Sequence, residues 1–280
     1  MQNIRTLNPG RWALGALVLL AVMAMLMPLA DIVIHGLPAI SWEFISENPS
    51  DAGRSGGIAS ILVSTALIVG VSLAAAVPLA FGTALLLSEY LSPTSIAASF
   101  IRGSLDILAG VPSVVFGLFG LALLCRYLEL GYSILAGGLT LACMILPTLT
   151  RTMCAAFEAL GNQYRIAGSA LGMSRAAVLL NVSLPLALPA ITAGIVLGLT
   201  RALAETAVLL FTSGYADRMP ASLHDSGRSM SLHIYELATN VPGGESAAYG
   251  SALVLIFLLG VLSYAMHALS HRVQQRYITL

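Results

Sequence analysis

The chain contains no lysine: all thirteen basic residues among its 280 are arginine. A phosphate-binding loop of the G-x-x-x-x-G-K-[ST] kind therefore cannot be built from it. If ATP drives anything here, another subunit hydrolyses it. Charge of either sign is scarce, at 9% of residues, against about 25% in an ordinary soluble domain. The formal net charge of zero gives no bulk field to attract nucleic acid. Cysteine occurs three times, as Cys125, Cys143 and Cys154. The three are too widely spaced for a metal motif and lie in or beside apolar segments, against a disulfide framework or a zinc site.

What is present is apolar. Hydrophobic residues make up 58% of the chain and the mean hydropathy is +0.89, which implies an all-α polytopic membrane protein. A spanning helix needs about 20 mostly apolar residues. Six segments qualify, over residues 12–34, 58–88, 104–125, 132–150, 180–212 and 247–269. The first is longer than the apolar region of a signal peptide, about 7–15 residues, and is read as an uncleaved helix. Pro78 is expected to kink the second span, and Pro185 and Pro189 to bend the start of the fifth. Two loops, 35–57 and 213–246, are rich in Gly, Pro and acidic residues; the loop 151–179 is helix-permissive.

With both termini inside, Arg5, Arg11, Arg102, Arg151, Arg165, Arg175, Arg272 and Arg276 are cytoplasmic. Arg54, Arg126, Arg218 and Arg228 are then outside. Eight against four follows the positive-inside rule. The two halves show no inverted repeat, which speaks against a secondary transporter.

Chemistry concentrates in "LTRALAETAVLLF", where Arg201 and Glu205 interrupt an apolar run from Pro189 to Phe211. A charge at bilayer depth costs roughly 2.5–3.5 kcal/mol on insertion scales and usually marks function. On one helix the two groups share a face, one turn apart, and can pair. Such a pair is a candidate anion site, with Thr206 beside it; the competing reading is an ion pair that locks two helices. The break "GVPS", Gly110, Val111, Pro112 and Ser113, has two readings. It interrupts a helix and frees N–H groups for an anion, or it is a kink that lets helices pack closely with help from Gly117 and Gly120. The kink is favoured. Asp106 and Arg102 are read as surface groups or mutual partners, and His224 and His233 as solvated loop residues.

The loop "FEALGNQYRIAGSALGMSRAAVLLNVSLPLALP" resembles the cytoplasmic signature of ABC-importer permeases. That signature is E-A-A, three residues, G, nine residues, I, one residue, L-P. Ala167, Gly172, Leu184 and Pro185 match it, and Gly168 falls at its third position. Val182 is a conservative variant, and Ile166 stands where the family has glutamate. Physically the motif is two short helices joined at a turn, with positive φ at Gly172 and Leu184–Pro185 starting the next membrane helix. Glu158 and Arg165 are candidates for part of the contact left by the missing glutamate.

Three further strings, "DILAGVPSVVFGLFG", "TRALAETAVLLFTSG" and "SLHIYELAT", are similar to the permeases of phosphate-specific ABC importers, the PstA type more than the PstC type. Ala204 stands where that family usually has glycine. The resemblance covers about residues 55–270 and implies a six-helix permease of the type I ABC importer fold in a bacterial inner membrane. Residues 1–57 would hold the first helix and outer loop, and 58–270 the permease core with an ATPase-coupling helix near 155–175. Residues 271–280 would form a cytoplasmic tail. The implied partners are a PstC-like permease, a PstB-like ATPase dimer, a PstS-like extracytoplasmic phosphate-binding protein and membrane lipids, with no nucleic acid. The chain itself would hold no cofactor; ATP and magnesium would sit in the ATPase. Two rivals remain: the same machine for sulfate, molybdate or phosphonate, and an intramembrane hydrolase using Ser263 and His267, four apart on the last helix.

Overall fold

The computed structural model describes residues 9–278, and side chains over 13–268. Arg5, Arg11, Arg272 and Arg276, which bear on orientation, lie outside the described side chains. The first helix, α1, spans Pro9–Gly36, and a short α2 spans Trp42–Ser46. Two-residue strands β1 (Pro49–Ser50) and β2 (Ser55–Gly56) then pair antiparallel. Next come α3 (Ala59–Leu85), extended by a π-helical turn over Leu86–Tyr90, and α4 (Ile96–Gly110). Helix α5 (Ser113–Gly120) is extended by π-helical turns over Leu121–Tyr127, and α6 spans Ile134–Glu158. Two short helices, α7 (Gln163–Ala170) and α8 (Arg175–Val178), precede α9 (Leu184–Ala204), α10 (Ala207–Thr212), α11 (Met230–Thr239) and α12 (Glu245–Ile278).

Five stretches are single helices long and apolar enough to cross a membrane: Ala13–Ala39, Ala59–Tyr90, Ile134–Glu158, Arg175–Ala204 and Glu245–Ala268. The third expected span, 104–125, is not one helix. It is the pair α4 and α5, bent by 101°. Pro112 is the cause: its ring disfavours the helical region for the preceding residue, and Val111 is extended at φ −73°, ψ 129°. The favoured kink is thus corrected to a full helix break. The fifth expected span, 180–212, is also divided, because α9 stops at Ala204. By contrast, α3 runs unbroken through Pro78.

Many starts are written locally. Ser95, Ser133 and Ser174 each accept a hydrogen bond from the backbone N–H three residues on, at 3.1–3.2 Å, as N-caps do. Around the central α6, packing relies on small residues. In lipid no hydrophobic force drives helices together, so close backbone approach must supply contact. A Cβ at Gly138 would meet Val71 Cγ1 at 2.6 Å, one at Gly194 would meet Thr152 Cγ2 at 2.8 Å, and one at Gly198 would meet Leu149 Cδ2 at 2.7 Å. These contacts seat α3 and α9 against α6, around a core that includes Ile68, Leu141, Ile145, Leu149, Met153 and Phe157. Helix α1 stays at the edge, its side chains exposed along most of the span. It is held to α12 where Tyr249 Oη donates to Asp31 Oδ2 at 2.9 Å and Gly36 faces the Tyr249 backbone.

The loops 35–57 and 213–246 form a structured cap. Here the reading of His233 as solvated is corrected: its side chain is 1% exposed and lies beneath Gly53 and the turn between β1 and β2. Burial and the nearby Arg228 guanidinium push its pKa down to about 4, with Asp217 opposing. The imidazole is therefore neutral in the folded protein through most of the physiological range. Its contribution to stability is complete above pH about 6.5, its ordinary value, and is lost as the pH falls towards about 4. Thermal unfolding of the purified protein should shift to lower temperature across that window, and His233→Gln should flatten the acid limb.

Candidate functional site

The two charges singled out in the fifth span do not form the expected pair. Arg201 is in the last turn of α9 and exposed, whereas Glu205 lies beyond the helix end, extended at φ −76°, ψ 127°. An i, i+4 pairing needs helix through both positions, and the helix stops between them. Among the described residues no ion pair involves either side chain.

Glu205 instead caps the next helix. Its Oε1 accepts hydrogen bonds from the backbone N–H groups of Ala207 (3.2 Å) and Val208 (3.4 Å). A carboxylate there also meets the positive end of the helix dipole. Its backbone carbonyl accepts from Ser231 Oγ at 2.6 Å, which ties the break to α11. Thr206, half-buried, has a distorted helical backbone at φ −115°, ψ −46°. Ala204, the last residue of α9, is exposed.

A second break, at Val111–Pro112, leads into α5, which packs against α10. Helix α5 lies along α10 because Gly117 and Gly120 lack side chains. A Cβ at Gly117 would meet Phe211 Cδ2 at 2.8 Å and the Ala207 carbonyl oxygen at 3.1 Å; one at Gly120 would meet Thr212 Cγ2 at 2.8 Å and collide with Thr140. Close packing by these two glycines is as expected from sequence, even though the bend is a break. Gly110 has open space around its Cβ position, and Ser113 starts α5 with no side-chain cap from Pro112.

The cytoplasmic signature takes the expected local form. Helix α7 ends at Gly172, whose φ is +74°, and the Met173 N–H donates to the Gly168 carbonyl at 3.0 Å. That is the bond of a Schellman cap. Gly168 is buried against Val178, so the tight α7–α8 hairpin admits no side chain there. Ile166 is exposed at 63% and Ala167 is exposed too. Val182 sits in a π-helical turn, and Leu184–Pro185 opens α9.

The remaining charged residues find partners that spacing did not reveal. Arg102 and Asp106 do not pair with each other: Arg102 reaches Glu158 (Nη2–Oε1 3.3 Å), and Arg151 bonds Asp106. Arg165 is engaged within the chain by Glu89, which pushes its pKa further above the ordinary value. Glu158 and Arg165 thus each have a partner within the chain. Ser263 and His267 share α12, and no hydrogen bond joins them among the described residues, so the hydrolase rival gains no site.

The family described as "Binding-protein-dependent transport system inner membrane component" matches residues 76–279. A probable ABC transporter permease protein, YqgI of Bacillus subtilis (strain 168), is 28% identical over 274 residues, covering 92% of each chain. The phosphate transport system permease protein PstA 2 of Mycobacterium tuberculosis (strain CDC 1551 / Oshkosh) is 30% identical over 240 residues, 84% of this chain and 78% of that one. Among solved structures, a bacterial ABC transporter involved in import of the acidic polysaccharide alginate superposes with a TM-score of 0.66 at 14% identity. That match covers 94% of this chain and 96% of its chain.

If Arg201 and Glu205 act independently, their neutralisations should add. Arg201→Gln, Glu205→Gln and the double variant should give a coupling within about 0.5 kcal/mol of zero, read from unfolding of the purified protein. A pair would instead give a coupling of 1 kcal/mol or more, on the order expected for orphaning a buried charge.

Proposed function

Because the chain belongs to the binding-protein-dependent transport system inner membrane components, we propose that it is the phosphate-conducting permease subunit of an ATP-driven importer, with anion passage past Arg201. The observation that carries the reading is Arg201 itself. It has apolar chain on both sides, is exposed, and meets no carboxylate among the described residues. It stands seventeen residues above Leu184, or about 25 Å at 1.5 Å per residue. A guanidinium at that depth needs a counter-charge, and a transported oxyanion supplies one intermittently. Its planar fork suits two phosphate oxygens. Phosphate is preferred over sulfate, molybdate or phosphonate because the mycobacterial relative is a phosphate transport permease. Thr206 and the Gly110–Ser113 break lie on the same route.

Energy enters through the α7–α8 hairpin. Helix α7 presents Ile166, Ala167 and Leu171 to the cytoplasm and seats in a groove of the ATPase, an apolar helix face laid into a groove. Val182, Leu184 and Pro185 join that hairpin to α9. Closure of the ATPase dimer around ATP and magnesium pulls α7 and switches the spans between outward and inward access. A second permease completes the pathway, and an extracytoplasmic phosphate-binding protein delivers the anion to the cap. Residues 1–57 hold the peripheral helix and its loop, 58–270 the conducting core, and 271–280 a cytoplasmic tail. Both termini lie in the cytoplasm of a bacterial inner-membrane protein.

Uptake of labelled inorganic phosphate, by cells with matched amounts of assembled complex, tests the route. Arg201→Gln should assemble and lose at least ~90% of uptake, about 1.4 kcal/mol or more in the rate; uptake near wild type would reject it. Gly172→Val places a β-branched side chain at positive φ and should release the ATPase on purification. Single cysteines at Ser222 and Ser174, in a background without Cys125, Cys143 and Cys154, test orientation. An impermeant thiol reagent on intact cells should label the first and spare the second.

A further inference from the structure

One ion pair lies outside the proposed route and joins the cytoplasmic hairpin to a membrane helix. Glu89 sits in the π-helical turn that extends α3, with its side chain 12% exposed; Arg165 sits on α7, 35% exposed. The contact is a two-edged fork: Arg165 Nε donates to Glu89 Oε2 at 2.9 Å and Nη2 to Oε1 at 2.7 Å, while Nη2 also donates to the Ser88 carbonyl at 3.2 Å. Among the described residues, no other side-chain hydrogen bond joins α7 to a membrane helix. The neighbouring pairs Arg102–Glu158 and Arg151–Asp106 are more exposed and connect α4 to α6, one span to another.

Packing does not substitute for this bond. A cleft of about 390 Å³, lined by Ser88, Asn162, Ile166, Ser169, Arg175 and Val178, opens beside Glu89 and Arg165. On that flank α7 has no side-chain mass against the membrane helices. A bidentate fork fixes direction as well as distance, so a displacement of α7 is handed to the end of α3. Helix α3 in turn makes its most extensive contact with α6, the centre of the core.

We propose that the Glu89–Arg165 pair is a positioning link that carries movement of α7 into α3, and so sets how much phosphate moves per ATP hydrolysed. The proposal rests on α7 being the ATPase-docking helix. In it the pair is not what holds the complex together. Glu89→Gln removes the charge at nearly constant shape, and Arg165→Lys keeps the charge but loses the fork.

The test uses the full complex of both permeases and the ATPases in proteoliposomes, with the phosphate-binding protein from the same cells. Uptake of labelled inorganic phosphate and release of product from ATP are measured in parallel. Both variants should keep their ATPases and hydrolyse ATP within about twofold of wild type, while phosphate moved per ATP falls at least ~5-fold, the low end of coupling between distant sites. The reciprocal exchange, Glu89→Arg with Arg165→Glu, should return the ratio to roughly half of wild type or better, as for a directly interacting pair. An unchanged ratio in both single variants overturns the link. So does loss of the ATPases from either, or a fall of uptake and hydrolysis in proportion, since each describes a structural hold. The docking premise fails separately: Gly172→Val that retains its ATPases rejects that premise, whereas an unchanged ratio beside ATPase loss in Gly172→Val rejects the link alone.

Discussion

In hydrocarbon every backbone N–H and C=O must find its partner inside the protein, and irregular chain survives there only where protein covers it. The two helix breaks depend on this constraint. Val111–Pro112 and Glu205–Thr206 each interrupt an apolar run, and the helices that follow them, α5 and α10, pack together at Gly117 and Gly120. Proline accounts for one break by denying Val111 the helical region. At the other, the Glu205 carboxylate takes up N–H groups that α9 no longer serves. A side chain at Gly117 or Gly120 would push α5 away from α10.

What was legible in the sequence is what is decided locally. Gly172 needs no distant partner to take positive φ and end a helix, and serine caps bond their own next turn. Leu184–Pro185 opens a helix because proline is tolerated in the first turn. The α7–α8 hairpin, the helical class and most span positions could therefore be read from spacing. The Arg201–Glu205 pair could not, because a four-residue spacing becomes a shared face only if the helix continues. Whether it continues between Ala202 and Ala207 is settled by α5, α6 and α11, distant in sequence. Glu89 and Arg165 escaped for the same reason: 76 residues separate them, and no local pattern marks either.

His233 shows the converse error. A histidine in a loop rich in Gly, Pro and acidic residues reads as solvated, yet the loop folds over it. The Met230 N–H donates to Thr65 Oγ1 at 2.8 Å and the Ser231 hydroxyl to the Glu205 carbonyl, so α11 is pinned to α3 and to the break at Glu205. The outer cap and the break are thus one continuous piece of structure. A disturbance at the cap is applied directly to the residue that caps α10.

Several of the arginines are held by partners within the chain. Arg54, Arg102, Arg151 and Arg165 each meet a carboxylate, and Arg228 bonds the Tyr215 carbonyl. Their pairs gain little from Coulomb attraction where water reaches them, and their value is geometric. Arg201, in the last turn of α9, meets no carboxylate among the described residues, as is also true of Arg126, Arg175 and Arg218. The chain on either side of Arg201 is apolar, and Glu205 caps α10 instead of pairing with it. Had the two formed a closed pair, an arriving anion would have had to displace a carboxylate and leave it unpaired in a medium of low dielectric, at a cost of several kcal/mol. On the proposed route an anion would meet a guanidinium with no carboxylate to displace, because Glu205 is held by backbone N–H groups.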